Sequence, residues 1–217
     1  MIYNKISMFI NYKTLYNFAF WLGCVLFHTK VSEYTYKKGM ELSLQYQKPL
    51  YDIIQDNFYN LQSFRFIPEM LHVIPIIALF SFIAHFRNLN SVSALNSLFY
   101  NHGSLLILRC IFFSVTLLPD SSQMCTISTH IGSCFDLIFS GHSTIMLLTT
   151  YIIKDNFYIS NFVNFIFHLI NSITFILIIL CRNHYTVDVL ISICMTHLVY
   201  NYNKKEYILK TNIRLIS

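Results

Sequence analysis

Charged residues are scarce in this sequence, and that scarcity decides the class of protein. Asp, Glu, Lys and Arg make up 12% of its 217 residues, whereas soluble domains average about 25%. Hydrophobic residues make up 55% of the chain, and the mean hydropathy is +0.51. These values predict an integral membrane protein. The formal net charge of +5 does not indicate a nucleic-acid partner, because the Lys and Arg residues lie in loops and tails, where they set membrane topology.

The sequence also lacks cysteines at metal-binding spacing. None of its six cysteines forms a CxxC pair, so a zinc site is not expected. Most of them are expected to be small apolar residues within membrane spans. Cys125 and Cys134 share one loop, where a disulfide would be compatible with an oxidising compartment.

Six apolar stretches are each near the ~20 residues that a helix needs to cross a bilayer. The first is the shortest, and because no small-residue cleavage pattern follows it, we interpret it as a retained anchor. The backbone N–H and C=O groups of a spanning segment must form their hydrogen bonds within the protein, because lipid offers no partners. We therefore predict an all-α, six-span transmembrane helical bundle forming a single domain over residues 1–217. The predicted spans are 15–28, 67–85, 98–118, 137–153, 162–181 and 187–202.

Basic residues indicate the orientation of the bundle. The segments before the first and after the last span are basic, which predicts that both termini are cytosolic. The loop 119–136 contains neither Lys nor Arg and is expected on the lumenal or extracellular side. The long loop 29–66 is an exception to the rule, because it carries basic residues on the predicted outer side. These are Lys30, Lys37, Lys38, Lys48 and Arg65.

Two short polar clusters interrupt the apolar sequence. One is Phe-Ser-Gly-His-Ser at 139–143, and the other is Arg-Asn-His-Tyr-Thr-Val-Asp at 182–188. Ionisable residues near the membrane interior are costly and usually functional. The clusters lie at the starts of the fourth and sixth predicted spans. Since two spans separate them, they lie on the same face of the membrane in either orientation.

The two clusters together contain the groups needed for histidine-based phosphoryl transfer. His184 and Asp188 are four residues apart, so a helix places them on one face, where the carboxylate can fix the tautomer of a nucleophilic ring. His142 can act as general acid and base. Ser140 and Gly141 precede it at a helix start, where glycine permits close backbone approach and free N–H groups can hold a phosphate oxygen.

Four further residues are candidates for substrate binding, and three of them have alternative interpretations. Arg109 lies inside a predicted span and either holds a phosphate or pairs with a carboxylate. Asp136 either positions the His142 loop or lies at the membrane interface. Arg182 either binds the donor phosphate or is an ordinary loop charge. Tyr185 completes this set. The other histidines are expected to be interfacial or packed: His28, His72, His85, His102, His130, His168 and His197.

The same residues resemble the sphingomyelin synthase family. Its Cys-Gly-Asp-x-x-Phe-Ser-Gly-His-Thr block is similar to Cys-Phe-Asp-Leu-Ile-Phe-Ser-Gly-His-Ser at 134–143, with Phe135 in place of the glycine. Its His-Tyr-Thr-Val-Asp-Val block is similar to 184–189. Lys-Pro-Leu-Tyr-Asp at 48–52 resembles a Pro-Leu-Pro-Asp segment of the family, and 108–119 resembles its third-span block. The resemblance covers about 48–200 and extends to the wider type 2 phosphatidic acid phosphatase superfamily.

The resemblance implies a lipid phosphotransferase that needs no metal or other cofactor. A glycerophospholipid would give its phospho-head group to His184, and ceramide would then accept it, with diacylglycerol as the other product. The active site would face the lumen or the cell exterior, in the Golgi, the endoplasmic reticulum or the plasma membrane. Oligomerisation and the choice among choline, ethanolamine and inositol stay open. Two alternatives are a hydrolase that uses water as acceptor, and a non-catalytic membrane protein of the same fold.

Overall fold

The computed structural model describes residues 12–42, 44, 47–122, 135 and 137–216, with side chains described as far as residue 205. Asp136 lies outside the described residues, as do Cys125 and Cys134. The candidate role of Asp136 and the disulfide therefore stay predictions.

The described residues form helices joined by loops, with no strand among them. We number the α-helices α1 to α8 in chain order. A 3-10 turn, Gln62–Phe64, lies between α2 and α3. The α-helices are α1 Tyr12–Glu41, α2 Ile53–Asn57, α3 Phe66–Leu71, α4 Val73–Phe86, α5 Leu89–Val115, α6 Gly141–Asn156, α7 Asn161–Leu180 and α8 Thr186–Ile216.

Every predicted span falls on a helical segment, which confirms the all-α prediction for the described residues. Within the described part of the chain, three segments are long and apolar enough to cross a membrane by length and composition: Gln62–Phe86, Leu89–Val115 and Asn161–Leu180. The chain is therefore compatible with a membrane protein. The full set of six spans and the cytosolic position of both termini stay predictions.

The first helix corrects the prediction of a loop that begins at residue 29. Helix α1 continues to Glu41, because its charged half is stabilised by ion pairs one turn apart. Glu33 Oε2 lies 3.2 Å from Lys30 Nζ, and Glu33 Oε1 lies 2.9 Å from Lys37 Nζ. Lys38 and Glu41 form a third pair at 3.0 Å. Several basic residues of the presumed loop therefore belong to a helix that projects beyond its apolar part.

The end of α1 also accommodates Phe135, the residue that replaces the family glycine. The Phe135 ring is fully buried and stacks on Tyr36, with 6.1 Å between the ring centroids. A side chain at Gly39 would collide with this ring. The absence of a Cβ at residue 39 therefore makes room for the large side chain at residue 135.

Helix α6 occupies the centre of the bundle. It packs against α4, α5, α7 and α8, while α1 packs along α5. Met146, Leu148, Ile152 and Ile153 of α6 are completely buried. Apolar residues of α4, α5, α7 and α8 complete this core, including Leu79, Leu105, Phe167 and Tyr200. Because α6 contacts these four helices, its N-terminus is held in a defined position, and that N-terminus carries His142.

Candidate active site

Ser140 sets the start of α6 and joins it to the second polar cluster. Its buried hydroxyl accepts a hydrogen bond from the Ser143 N–H at 3.4 Å, as an N-cap residue does. Its own N–H donates to the main-chain carbonyl of Asp188 at 3.2 Å. The two sequence clusters, predicted to lie on one face, are therefore joined by a main-chain hydrogen bond.

Arg109 of α5 lies directly beneath this helix start. Its Nε donates to the Phe139 carbonyl at 2.8 Å, and its Nη1 lies 2.9 Å from His28 Nε2. A Cβ built at Gly141 would lie 3.3 Å from Arg109 Nη1, tighter than an ordinary contact. Glycine at position 141 was predicted to let a ligand approach the backbone closely, and in the structure the Arg109 guanidinium occupies that position. In this structure Arg109 contacts a carbonyl and a histidine beside the site.

His184 lies at the buried side of the site, next to Asp188. Its Nδ1 is 3.1 Å from the Leu137 carbonyl and 3.7 Å from Asp188 Oδ2. A carbonyl only accepts hydrogen bonds, so Nδ1 carries the proton in this contact, and Nε2 of the neutral ring has a free lone pair. Asp188 is completely buried, and its Oδ2 accepts the Tyr185 N–H at 3.1 Å. The Leu137 carbonyl, which the sequence did not suggest, is therefore the nearer partner of the ring.

The short helix α2 holds the backbone of the second cluster. The Gln55 side chain donates to the His184 carbonyl at 2.8 Å. Asp52 accepts hydrogen bonds from the Thr186 N–H at 2.6 Å and from the Thr186 hydroxyl at 2.7 Å. Asp52 also caps α2 through the N–H groups of Ile54 and Gln55. Burial alone would raise the pKa of Asp52, but the hydrogen bonds from Thr186, Gln55 and Ile54 outweigh burial and hold this pKa below its ordinary value.

Tyr185 and Arg182 also contact neighbouring loops. The Tyr185 ring is buried, and its hydroxyl donates to the Pro119 carbonyl at 3.0 Å and accepts the Leu50 N–H at 3.0 Å. Burial raises the pKa of Tyr185. Arg182 has a left-handed backbone, with φ of 58°, and its Nη2 donates to the Gln55 carbonyl at 3.2 Å. Both predicted substrate-binding residues therefore make contacts that position the loop before α8.

His142 lies at the open side of the site, beside two residues that the sequence analysis had not selected. Its Nε2 is 3.0 Å from Glu69 Oε2, and its ring packs edge-to-face on His72 with 4.7 Å between centroids. Glu69 Oε1 accepts a hydrogen bond from the Asn183 side chain at 3.2 Å. His72 is packed, as expected, but the ring that it packs against belongs to His142, a predicted catalytic residue.

The rings of the two predicted catalytic histidines lie next to each other in an edge-to-face arrangement. Their ring centroids are 6.1 Å apart, at an interplanar angle of 65°. The His184 side chain is 8% exposed and the Asp188 side chain 0%, whereas the exposures of the His142 and Glu69 side chains are 33% and 46%. Among the described residues, the site is therefore buried beside Asp188 and partly exposed beside Glu69.

Glu69, His72 and Asp52 are the residues that the sequence analysis missed. Glu69 could have been found, because it is the only acidic residue within the second predicted span, where a charge is costly. Asp52 was noted only as part of a family-like segment. No sequence spacing pairs it with Thr186, which is 134 positions away.

Comparison with known protein families supports part of the resemblance. Residues 133–205 match the family model described as PAP2 superfamily C-terminal. The match includes both histidine clusters and supports the type 2 phosphatidic acid phosphatase superfamily, without distinguishing the sphingomyelin synthases within it. It is consistent with a lipid phosphatase or phosphotransferase. No curated protein matches the chain significantly.

Proposed function

We propose that this protein is a membrane lipid phosphotransferase that moves a phospho-head group from a glycerophospholipid to ceramide. The observation that carries the proposal is the proximity of His184, held by Leu137 and Asp188, to His142, with 6.1 Å between their ring centroids. Near-attack geometry needs reacting atoms about 3–3.5 Å apart, so we propose that one phosphoryl group contacts both neighbouring rings.

In the first step, His184 Nε2 attacks the phosphorus of the donor lipid. The N–P bond forms, and the P–O bond to diacylglycerol breaks. His142 gives its proton to the departing diacylglycerol oxygen. The proton on His184 Nδ1 stays on the ring, where the Leu137 carbonyl and the Asp188 carboxylate stabilise the positive charge that develops.

In the second step, the primary hydroxyl of ceramide replaces diacylglycerol. His142, now neutral, takes the hydroxyl proton while the ceramide oxygen attacks phosphorus, and the N–P bond breaks. His184 returns to its neutral form, and His142 is protonated again. Glu69 Oε2 lies 3.0 Å from His142 Nε2 and can orient this ring by accepting a hydrogen bond from it.

Hydrolysis is the second candidate function. The superfamily match is consistent with a phosphatase, and the partly exposed His142 side chain is accessible to water as well as to ceramide. In that reaction water would lose a proton to His142 and attack the same phosphohistidine. The bonds to His184 are identical in both reactions, so only the acceptor distinguishes them.

Expression in a host without sphingomyelin synthesis tests both functions. Membranes would receive fluorescent ceramide and phosphatidylcholine, phosphatidylethanolamine or phosphatidylinositol, with His184→Ala run beside the wild type. A phosphoceramide that disappears in the variant would support the transferase and identify its head group. Diacylglycerol without phosphoceramide would identify a hydrolase. No product from well-folded protein would contradict both functions and favour the non-catalytic alternative.

A further inference from the structure

Glu69, His72 and His142 form a compact cluster of metal-ligating side chains at the open side of the site. One ligand atom from each residue lies within 4.8 Å of the other two. Glu69 Oε2 is 3.0 Å from His142 Nε2 and 3.8 Å from His72 Nδ1. His72 Nδ1 is buried and makes no hydrogen bond within the described residues. A buried nitrogen without a partner is costly, and a cation bound beside its lone pair would remove that cost.

The chemistry of the cluster selects one class of ion. Two imidazoles and one carboxylate are the ligand set of open zinc sites, in which a fourth position is left for water or substrate. Zinc–ligand bonds of about 2.0–2.1 Å place tetrahedral ligands roughly 3.3 Å apart, so small side-chain rotations suffice here. Magnesium and calcium favour oxygen ligands and fit this set poorly.

A hydrogen bond from outside the cluster orients its carboxylate. The Asn183 amide donates to Glu69 Oε1 at 3.2 Å, which leaves Oε2 directed toward the two histidines. Such outer contacts fix ligand geometry in metal sites. Asn183 immediately precedes His184, so the cluster is joined to the nucleophile's loop as well as to His142.

We propose that Glu69, His72 and His142 bind one divalent transition-metal ion of the zinc class, and that the bound ion takes His142 out of catalysis. A ring nitrogen that ligates a metal no longer exchanges a proton with a lipid oxygen. Binding itself does not depend on the proposed function, whereas the inhibitory consequence rests on it. This proposal departs from the sequence-based expectation that the protein has no metal.

Cobalt titration of the purified full-length protein in detergent tests the site directly. Four- and five-coordinate Co²⁺ gives visible absorption bands, and added Zn²⁺ should displace the ion and abolish them. We expect saturation near one equivalent per chain in the wild type. His72→Gln removes a ligand and should weaken cobalt binding more than about tenfold. Asn183→Ala removes a residue that orients a ligand and should weaken cobalt binding by about tenfold.

His85→Gln is the matched control, because His85 lies exposed on the adjoining helix α4 outside the cluster. It should bind cobalt as the wild type does. Glu69→Gln provides a second ligand variant if His72→Gln is not monodisperse on gel filtration. Absence of the band in the wild type, or equal bands in all variants, would overturn the proposal.

A second readout separates metal binding from the proposed reaction. Zinc should suppress phosphoceramide formation by the wild type, and a chelator should restore it. If phosphoceramide never forms but the cobalt band is present and depends on His72, the metal site stands and the proposed function fails. If zinc occupies the site without slowing transfer, the inhibitory part of the proposal is wrong.

Discussion

Replacing Asp52 should loosen the loop that carries His184, because the Asp52 carboxylate joins α2 to the start of α8. It is buried and accepts two hydrogen bonds within the α2 cap and two from Thr186. An N-cap is worth about 0.5–2 kcal/mol, and a hydrogen bond to a charged group about 1.5–3 kcal/mol. Because neighbouring contacts do not add fully, we expect Asp52→Ala to lower the free energy of unfolding by about 3–5 kcal/mol.

Thermal unfolding in detergent measures this loss. The Cys24 and Cys181 thiols are buried and the Cys194 thiol is exposed, so the increase in thiol-reactive dye labelling above the constant Cys194 signal reports unfolding. For a chain of this size each kcal/mol corresponds to about 2–4 °C, and Asp52→Ala should therefore lower the melting temperature by roughly 6–20 °C. Asp56→Asn is the matched control, since Asp56 is exposed and asparagine keeps the acceptor for the Asp52 N–H. Equal melting temperatures for the two variants would refute the reasoning.

The hydrogen-bonded Asp52 carboxylate also predicts the direction in which the free energy of unfolding changes with pH. The pKa of Asp52 is lowered in the folded protein, so its ionised form stabilises the fold fully above the unfolded value of about 3.9. That contribution disappears as the pH falls through the lower, folded pKa. Asp52→Asn keeps the cap but not the charge. The free energy of unfolding of Asp52→Asn should be furthest below that of the wild type near neutral pH, and the difference should shrink in strong acid. A difference that grows with acidification would contradict the stabilising role of the ionised Asp52 carboxylate.

The remaining predictions concern the two polar clusters and topology. Asp188→Asn should slow transfer by about 100-fold or more, while Leu137 keeps the ring in place and donor binding changes little; a near-normal rate would remove Asp188 from the mechanism. Ser140→Ala should cost the cap and the hydrogen bond from the Ser143 hydroxyl, about 1–3 kcal/mol, whereas Ser140→Pro also removes the N–H bonded to residue 188 and should abolish activity. Equal effects of the two Ser140 variants would show that this main-chain bond is unimportant. A glycosylation acceptor in the loop 119–136 should be modified in cells, and an accessible but unmodified acceptor would reverse the predicted topology.

The sequence was sufficient to predict most of the helices and the association of the two clusters. Apolar length indicated where helices lie, because a spanning backbone must form its hydrogen bonds locally. The end of α1 was predicted wrongly, since its ion-paired half is polar and does not continue the apolar stretch. The change from apolar to polar residues near position 28 indicates where α1 leaves an apolar environment, but the helix itself continues to Glu41.

The partners of the predicted residues could not be read from local sequence. Leu137 reaches His184 through a main-chain carbonyl, and any residue type supplies that group, so no side chain marks the position. Glu69 meets His142 because α3, which packs mainly against α7, brings this side chain within 3.0 Å of the ring at the start of α6. Gln55 acts on the His184 carbonyl from 129 positions away. Such contacts depend on the packing of helices, which periodicity and motif spacing do not determine.

The choice between ceramide and water depends on features outside the histidine pair. Both acceptors give a proton to His142 and break the same bond to His184, so these residues set the rate but not the acceptor. Among the described residues, the site is more exposed beside Glu69 than beside Asp188, which is fully buried behind the rings. On that side, α3 exposes the apolar residues Phe66 and Met70 next to Glu69. Because α3 belongs to the apolar segment Gln62–Phe86, these residues can contact an acyl chain and guide the ceramide hydroxyl to His142, an advantage that water does not have, so under the proposed function we infer that acceptor selectivity depends on α3.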